Sequence, residues 1–407
     1  MKLSNAPLQT DDASGSLLLI LPLFLIFFLV FMDHLMLVPL GVVISKSIGL
    51  DPEKSGYLIA IYPIMAAFSA LLSAPFSDRW GRKKMLLVLS FGFCLSTLGC
   101  ALSYNVFTMF LFRILSAVFG GPIMPNTLAY AGDLFQGPKR VKAVTTVMLG
   151  FAASSILGVP FGAWTADTFS WQASFYIVAA ATFLSIAGLY WMKPVKTGLS
   201  PGTVMAQYAE LFKLWTLKKV RGLFYAQFFM LVGLFGLVPN LGVWMAMNMG
   251  MSATQVGLCY MQGGIGAIIG NQLSAYLIRR FSKAAVVSLG SIVMGIVVLL
   301  FTNLSFPPVL AGIFLAGMMF GGSIRMPAFN LILTETVPIY MRGRLMSMGM
   351  IVSNISMGFG GIWATPLLEI KDGRLYGMPI IGVVTLITTL LVAPMIYASK
   401  NIPAEVY

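Results

Sequence analysis

Long apolar runs alternate with short polar or charged stretches along the whole of this chain. A helix needs roughly 20 predominantly apolar residues to cross the hydrocarbon core of a bilayer. Twelve of the runs reach that length, so the pattern predicts twelve membrane-spanning helices. Their approximate limits are 17–40, 56–77, 84–104, 107–135, 141–166, 171–192, 222–247, 253–277, 284–303, 307–334, 343–367 and 377–398.

The second half of the chain repeats the first at an offset of 200 to 202 residues. Leu37-Val38-Pro39 recurs as Leu237-Val238-Pro239, and Phe119-Gly120-Gly121 recurs as Phe320-Gly321-Gly322. Further matches are Gly49 and Gly56 with Gly250 and Gly257, Met124-Pro125 with Met326-Pro327, Asp133 with Glu335, and Arg140 with Arg342. The repeat predicts an all-α polytopic membrane protein built from two pseudo-symmetric six-helix bundles, a known transporter plan. The expected units are 1–192, a linker at 193–221, and 222–407.

The linker is the longest polar stretch between predicted helices. It carries six Lys and Arg residues and the helix-breaking run Ser200-Pro201-Gly202. Five apolar side chains after that run share one helical face: Val204, Tyr208, Leu211, Phe212 and Trp215. This pattern favours an interfacial helix that ties the two bundles along the membrane surface, although a calmodulin-type target would show the same pattern.

Composition and charge narrow the class of protein. With 58% hydrophobic and 10% charged residues, the chain is not an ordinary soluble domain. Of its 26 Lys and Arg residues, 20 lie on the side of the membrane that also holds both predicted termini. The opposite loops hold four, Lys46, Lys54, Lys371 and Arg374. By the positive-inside rule both termini face the cytoplasm of a plasma (inner) membrane, and the net charge of +13 is a topological signal, not a nucleic-acid-binding surface.

Several kinds of chemistry have no signature in the sequence. Cys94, Cys100 and Cys259 lie within apolar spans, without the spacing of a metal site or a disulfide framework. No Gly-x-x-x-x-Gly-Lys-Ser/Thr run is present, so nothing indicates an ATPase. We therefore predict no enzymatic activity, no cofactor and no metal. The first apolar run is long enough to span, which favours a retained helix over a signal peptide.

The turn between the second and third predicted helices reads Ser77-Asp78-Arg79-Trp80-Gly81-Arg82-Lys83-Lys84. Glycine permits a tight turn between antiparallel spans, and the basic cluster anchors it at the cytoplasmic surface. The fourth helix adds Arg113 and Gly120-Gly121, and the fifth adds Gly150, Gly158, Pro160 and Gly162. Together with the twelve-helix repeat, these motifs resemble the major facilitator superfamily, and within it the twelve-helix proton antiporters that export drugs and metabolites.

The resemblance implies a conformational latch at this turn. Such a latch would hold the two halves together in the outward-open state and would include Asp78, Arg79, Gly81 and Arg82, with Asp133 as the partner of Arg82. The residues alone also suit a positive-inside anchor, and both roles are compatible. In the exporters' fifth helix Gly and Pro are adjacent, whereas Val159 separates Gly158 from Pro160 here. That departure weakens the case for antiport relative to symport.

Asp33 is the one acid deep within a predicted span, because the other 12 acids lie in tails, loops or near helix ends. A carboxylate in hydrocarbon costs at least ~2.5 kcal/mol on insertion scales, so we expect it to face a cavity or a cation. Counting ~1.5 Å per residue along each helix puts Arg113 at about the same depth. By resemblance, the helix-four arginine takes part in proton coupling. We therefore interpret the two residues as a proton-coupling pair; a substrate-binding acid, a structural ion pair or lipid exposure of Asp33 are the alternatives.

The repeat adds a contrast between the two halves. Asp33 falls opposite Gly233, and Arg113 falls opposite Phe314. This favours a division of labour, with protonation in the first half and mainly neutral recognition in the second. His34 is the only histidine, and it points about 100° away from Asp33 around the helix. We expect the His34 side chain to form a hydrogen bond between two helices, with a role as a proton relay as the alternative.

A set of polar and adaptable apolar side chains within the spans predicts the substrate cavity: Met36, Asn126, Phe235, Asn240, Trp244, Gln262, Arg325 and Asn330. Packing or helix-to-helix hydrogen bonds are the alternative for each of them. Arg325 could hold an anionic group of the substrate, pair with a backbone carbonyl or extend toward the cytoplasm.

Three functions follow from these residues. The first is proton-coupled efflux of a small amphipathic drug or metabolite by alternating access. The second is proton symport or facilitated passage of an organic anion, with Arg113 and Arg325 as its ligands. The third is a non-transporting sensor or lipid-handling protein on the same fold. The expected partners are a small molecule, protons and the lipid bilayer, and a duplicated six-helix unit needs no second subunit, so we expect a monomer.

Overall fold

The computed structural model describes residues 13–135, 137–192, 194–195, 204–338 and 341–400. Helices form almost all of this part of the chain. In order they are α1 (Ala13–Leu35), α2 (Leu37–Ile48), α3 (Ser55–Trp80), α4 (Arg82–Ala101), α5 (Val106–Leu134), α6 (Gly137–Ala153), α7 (Val159–Thr168), α8 (Trp171–Trp191), α9 (Val204–Lys213), α10 (Lys218–Met249), α11 (Ala253–Arg280), α12 (Lys283–Asn303), α13 (Ala311–Glu335), α14 (Arg342–Ala364) and α15 (Met378–Lys400). Two short antiparallel strands, β1 (Glu369–Lys371) and β2 (Arg374–Tyr376), form a hairpin between α14 and α15.

The predicted spans are helical, and the fold class is confirmed. Among the described residues, ten helical segments are long and apolar enough to cross a membrane, and the bent pair α1 and α2 makes an eleventh. One of the ten joins α6, a π-helical turn at Ser154–Gly158, and α7. The remaining predicted span, 253–277, is α11, which is 28 residues long and therefore about 42 Å. Its mean hydropathy is lower because several of its residues are glycines and amides.

Helices pair in the same way in both halves of the chain. In the first half, α1 packs on α6 and α8, α3 packs on α5, and α4 packs on α5 and α8. In the second half, α10 packs on α14 and α15, α11 packs on α13, and α12 packs on α13 and α15. Each contact in the first set has its counterpart, one repeat later, in the second.

The two membrane surfaces differ in what they carry. Helix α9 lies on the surface that also holds the α3–α4 turn: the Tyr208 hydroxyl donates to the Leu72 carbonyl at 3.1 Å, and Glu210 pairs with Arg344. We call this surface the linker side, and the opposite surface, with the β-hairpin, the far side. At the α3–α4 turn, Gly81 has a φ of 84°, a conformation that favours glycine. Part of the predicted linker, 196–203, lies outside the described residues.

The two halves of the chain meet in a seam on the far side. Glycines let the backbones approach closely there, because a side chain at Gly242 would collide with the Val38 carbonyl and one at Gly361 would lie 2.6 Å from Ala60 Cβ. A cavity lies between the halves on the linker side. The conformation is therefore closed at the far side.

The first span bends by 52° between α1 and α2. Pro39 explains the bend, because it has no N–H to donate to the Leu35 carbonyl and its ring crowds that carbonyl. Beyond the bend the helix continues past its predicted end at residue 40 to Ile48. It terminates at Gly49, which has a φ of 78°.

Candidate functional site

A fully buried ion pair lies inside the first half of the chain. Arg113 Nη1 donates to Asp33 Oδ2 at 2.6 Å, and neither side chain has any solvent exposure. Asp33 lies on α1 three residues before the bend at Met36, and Arg113 lies on α5. The structure thus brings together the two residues that the sequence placed at equal depth.

An aromatic side chain lies over the arginine of this pair and contacts a second one. The Tyr62 ring on α3 lies over the Arg113 guanidinium, 4.9 Å from ring centroid to Cζ. The same ring stacks on the His34 imidazole with centroids 4.7 Å apart. His34 therefore forms an aromatic contact between helices, a role that sequence reasoning did not anticipate. Nothing in the local sequence distinguished Tyr62, because its partners lie on two other helices.

The buried cluster has hydrogen-bonding capacity to spare. Thr97 and Cys100 lie near the pair, but among the described residues Asp33 Oδ1, Arg113 Nε and Nη2, and the Tyr62 hydroxyl make no hydrogen bond of normal geometry. A buried polar group without a partner costs about 1–3 kcal/mol, so such groups tend to persist where function uses them. Protonation of Asp33 would remove its charge and release the guanidinium. The geometry can therefore hold or release a proton together with a change in helix contacts.

Arg325, in the second half, is buried and has no ionic partner among the described residues. Its Nη2 donates to the Met230 carbonyl at 2.7 Å, and its Nε and Nη1 atoms have no partner among the described residues. Helix α12 passes close by, because a Cβ at Gly290 would lie 3.1 Å from Arg325 Cβ. Arg325 therefore contacts α10 inside its own bundle, which corresponds to the backbone-pairing alternative.

The linker-side cavity has a volume of about 240 Å³ and lies between α3, α5, α9 and α14. It is lined by Ala70, Leu71, Ser73, Ser77, Arg82, Gly121, Met124, Pro125, Asn126, Ala129, Leu211, Ser347, Met350, Ile351 and Asn354. Ser77 donates to the amide oxygen of Asn126, whose nitrogen donates to the Pro122 carbonyl at 2.9 Å. Helical periodicity on α3 and α14 could have suggested Ser73, Ser77 and Asn354, but which faces line a cavity depends on how the halves pack.

Of the eight side chains predicted for the cavity, Asn126 lines it and the other seven do not. Met36, Asn240 and Trp244 are buried. Met36 lies against Gly162, Asn240 donates to the Gly236 carbonyl at 3.0 Å, and Trp244 packs on Phe301.

The remaining predicted side chains are Phe235, Gln262, Asn330 and Arg325. Phe235 and Asn330 are half-buried, and Gln262 is exposed beside Gly312. For all seven a role in substrate binding stays a prediction, and the conformation closed at the far side does not bring them to the cavity.

The predicted latch residues lie at the linker-side ends of α3, α4 and α5. Arg82 Nε lies 2.9 Å from Asp133 Oδ2, so this pair joins α4 to α5 within the first half. Arg79 is exposed, whereas the side chain of Asp78 lies outside the described residues. The repeat holds an equivalent pair, since Lys283 Nζ lies 2.5 Å from Glu335 Oε1 between α12 and α13. Latching itself stays a prediction.

The glycine and proline motif of the fifth span faces two different helices. Gly150 and Gly158 lie against Phe28 and Met32 of α1, and Gly162 lies against Met36 at the bend between α1 and α2. Pro160 faces α11, where a Cβ at Gly257 would lie 3.0 Å from Pro160 Cα. The π-helical turn at Ser154–Gly158 directly precedes this proline, and such turns often mark functional positions. The fifth span therefore links the helix that carries Asp33 to the opposite half.

A repeated six-helix plan, a seam between the halves on one side of the membrane and a cavity between them on the other form an architecture that is typical of secondary transporters. The sequence profile of the Major Facilitator Superfamily matches residues 23–361. The chain belongs to that family, whose members are transporters and not enzymes.

Individual relatives agree with this assignment. The uncharacterised MFS-type transporter YceJ of Bacillus subtilis (strain 168) is 26% identical over 67% of this chain and 70% of its own length. The bicyclomycin resistance protein homologue of Haemophilus influenzae is 23% identical over 60% of this chain and 62% of its own length. The crystal structure of a D-xylose–proton symporter has a TM-score of 0.77 at 15% identity and covers 97% of this chain and 99% of that one. At that identity the structural likeness establishes the fold alone.

Proposed function

We propose that this transporter exports a small amphipathic drug or metabolite in exchange for protons, with Asp33 as the group that carries the proton. The observation behind the proposal is the Asp33–Arg113 pair, which is fully buried in the first half with unused hydrogen-bonding capacity. A charged pair in a membrane interior is expensive and is by default a functional-site hypothesis. Similarity to a bicyclomycin resistance protein homologue supports export as the direction.

The position of Asp33 supports coupling between protonation and conformation. Asp33 lies on α1 just before the bend, and beyond the bend α2 packs on α10, where Gly242 meets the Val38 carbonyl. A change in charge at Asp33 would therefore act on a helix that belongs to the far-side seam. Proton and substrate would each bias the same two-state equilibrium, which is the requirement for their coupling.

The charge distribution supports an orientation. The sequence pattern assigns 20 of the 26 Lys and Arg residues to the membrane side that holds the linker, so this side would face the cytoplasm of the plasma (inner) membrane. Substrate would then enter from the cytoplasm through the linker-side cavity, and protons would enter from the far side. We expect the monomer to be sufficient for this cycle.

The test is substrate-triggered proton flux in proteoliposomes under an imposed pH gradient, with cationic, neutral and anionic compounds. Wild type should move protons against the direction of substrate, and Asp33→Asn should lose both this flux and accumulation against a gradient while it remains folded. Glu369→Gln is the matched control, because it neutralises an exposed acid that pairs with Lys371 within the far-side hairpin. Equal accumulation in wild type and Asp33→Asn would rule out the coupling role.

One observation favours a second candidate function, uptake of an organic anion by symport or facilitated passage. Arg325 is a buried cation with no acidic partner among the described residues, so an anionic substrate group could complete its contacts. The structural neighbour that is a proton symporter is compatible with this direction. Proton flux in the same direction as an anionic substrate, together with a KM raised in Arg325→Gln, would favour this function over export.

A further inference from the structure

One polar contact on the far side joins the two halves of the chain. Asp167, in the last turn of α7, accepts a hydrogen bond from the Thr254 backbone N–H at 2.7 Å. Thr254 is the second residue of α11, so the carboxylate of one half lies at the N-terminus of a helix of the other half.

At the N-terminus of α11, the Thr254 N–H has no acceptor within its own helix. Ser252 and Gln255 form a reciprocal capping box: Ser252 Oγ accepts from the Gln255 N–H at 3.3 Å, and Gln255 Oε1 accepts from the Ser252 N–H at 2.9 Å. The N–H groups of a helix's first turn have no acceptor within the helix. Asp167 supplies the acceptor for Thr254, and its negative charge suits the positive end of the helix dipole.

The contact lies on helices that must separate when the far side opens. Directly below it, α7 and α11 touch through backbone and small side chains, since a Cβ at Gly257 would lie 2.9 Å from Ala163 Cβ and 3.0 Å from Pro160 Cα. Opening the far side moves α7 away from α11 and removes the carboxylate from the Thr254 N–H. The hydrogen bond therefore stabilises only conformations in which the far side is closed.

We propose that Asp167 is a gating residue of the transport cycle, which favours the far-side-closed conformation through its bond to the N-terminus of α11. An interaction present in one of two states shifts their ratio by its own free energy. For an exposed carboxylate at a helix N-terminus the shift is about two- to five-fold. Such a bias is small enough to leave the cycle reversible, and it sets how readily the empty transporter presents its cavity to the linker side.

The test measures the conformational ratio directly, with neither substrate nor proton gradient. Spin labels at positions 104 and 309 would report the far-side distance between the halves, because Tyr104 and Val309 are highly exposed there. Labels at positions 141 and 281 would report the linker side. Double electron–electron resonance would be recorded in nanodiscs, after replacement of the three buried cysteines by alanine.

The variants form a graded series. Removing the acceptor in Asp167→Ala should raise the far-side-open population ratio by about two- to five-fold, with a matching loss of the linker-side-open distance. Asp167→Lys should raise the ratio further, because a cation repels the positive helix end. Glu369→Gln should leave it unchanged, since Glu369 pairs within its own hairpin, 2.7 Å from Lys371 Nζ.

Identical distance distributions in wild type, Asp167→Ala and Asp167→Lys would overturn the proposal. So would an equal shift in Glu369→Gln, which would indicate a general effect of far-side charge. A misfolded variant would be recognised because both label pairs would broaden, whereas gating changes their two distances in opposite directions.

Discussion

The two halves of this transporter have the same helix pairings, but different side chains occupy corresponding positions in their interiors. In the first half, Asp33 on α1 pairs with Arg113 at 2.6 Å. In the second half, Gly233 occupies the position that Asp33 has in the first, and α15 fills the space: the Thr385 hydroxyl donates to the Gly233 carbonyl at 2.8 Å. The position that carries a charged side chain in the first half is therefore a point of close contact between two helices in the second half. Duplication thus preserved the backbone plan while the chemistry of one half diverged.

The same contrast appears in the helices themselves. Leu37-Val38-Pro39 and Leu237-Val238-Pro239 are identical, yet the first accompanies a 52° bend and the second lies within the continuous helix α10. Proline frees a carbonyl and crowds the preceding turn in both. In the second half, α10 packs closely on α15 near Gly233 and remains one continuous helix through the proline. The comparison teaches that a proline permits a break in a helix without requiring one.

The largest effect should come from leaving the buried acid unpaired. Arg113→Met should lower the free energy of unfolding by about 3–5 kcal/mol, because Asp33 would keep a buried charge without a partner. The double variant Asp33→Leu/Arg113→Met should recover most of that loss. Equilibrium unfolding in mixed micelles measures both.

Arg325→Met is the matched variant in the second half. It removes a buried cation without leaving an acid unpaired, so stability should stay the same or rise. Equal losses in Arg113→Met and Arg325→Met would contradict the distinction between the two halves.

A smaller effect should follow from a single methyl group at the close crossing. In Gly233→Ala the new Cβ would lie 2.9 Å from Thr385 Cα, which is backbone and cannot turn away. Overpacking of this kind costs about 1–3 kcal/mol, measured by the same unfolding assay. Gly222→Ala on the same helix is the control, because its nearest neighbour would be 4.0 Å away. If both substitutions stabilised the protein, as alanine does in an open helix, the crossing would be looser than described.

The smallest expected effects distinguish the Arg82–Asp133 pair from the Lys283–Glu335 pair. Arg82→Met and Lys283→Met each remove one partner of a partly exposed ion pair, so each should cost less than about 1 kcal/mol. If the latch belongs to the first half, only Arg82→Met should change the initial transport rate, by up to about five-fold. Equal rate changes in both variants would assign the latch to both turns, and no change in either would leave the pairs as simple anchors.

The sequence predicted those parts of the site that depend only on how deep a residue lies in the membrane. Rise per residue places Asp33 and Arg113 at one level, and the family resemblance implies that Arg82 pairs with Asp133 at one end of the bundle. Tyr62 could not be predicted in the same way. Its contacts depend on the rotation of α3 about its own axis, which follows from packing against several helices at once. The same limitation applies to the cavity, whose lining depends on the conformation of the two halves.

The sequence by itself determined the helical spans, their duplication and the charge difference between the two surfaces. These properties follow from apolar length, repeat and composition, which are local or additive along the chain. Only the tertiary structure decided that Arg325 has a carbonyl beside it and not an acid, that the first span is broken near Pro39 whereas α10 continues through Pro239, and that Asp167 reaches α11. Each of these depends on helices distant in the chain that pack together, and such contacts are set by the whole bundle at once.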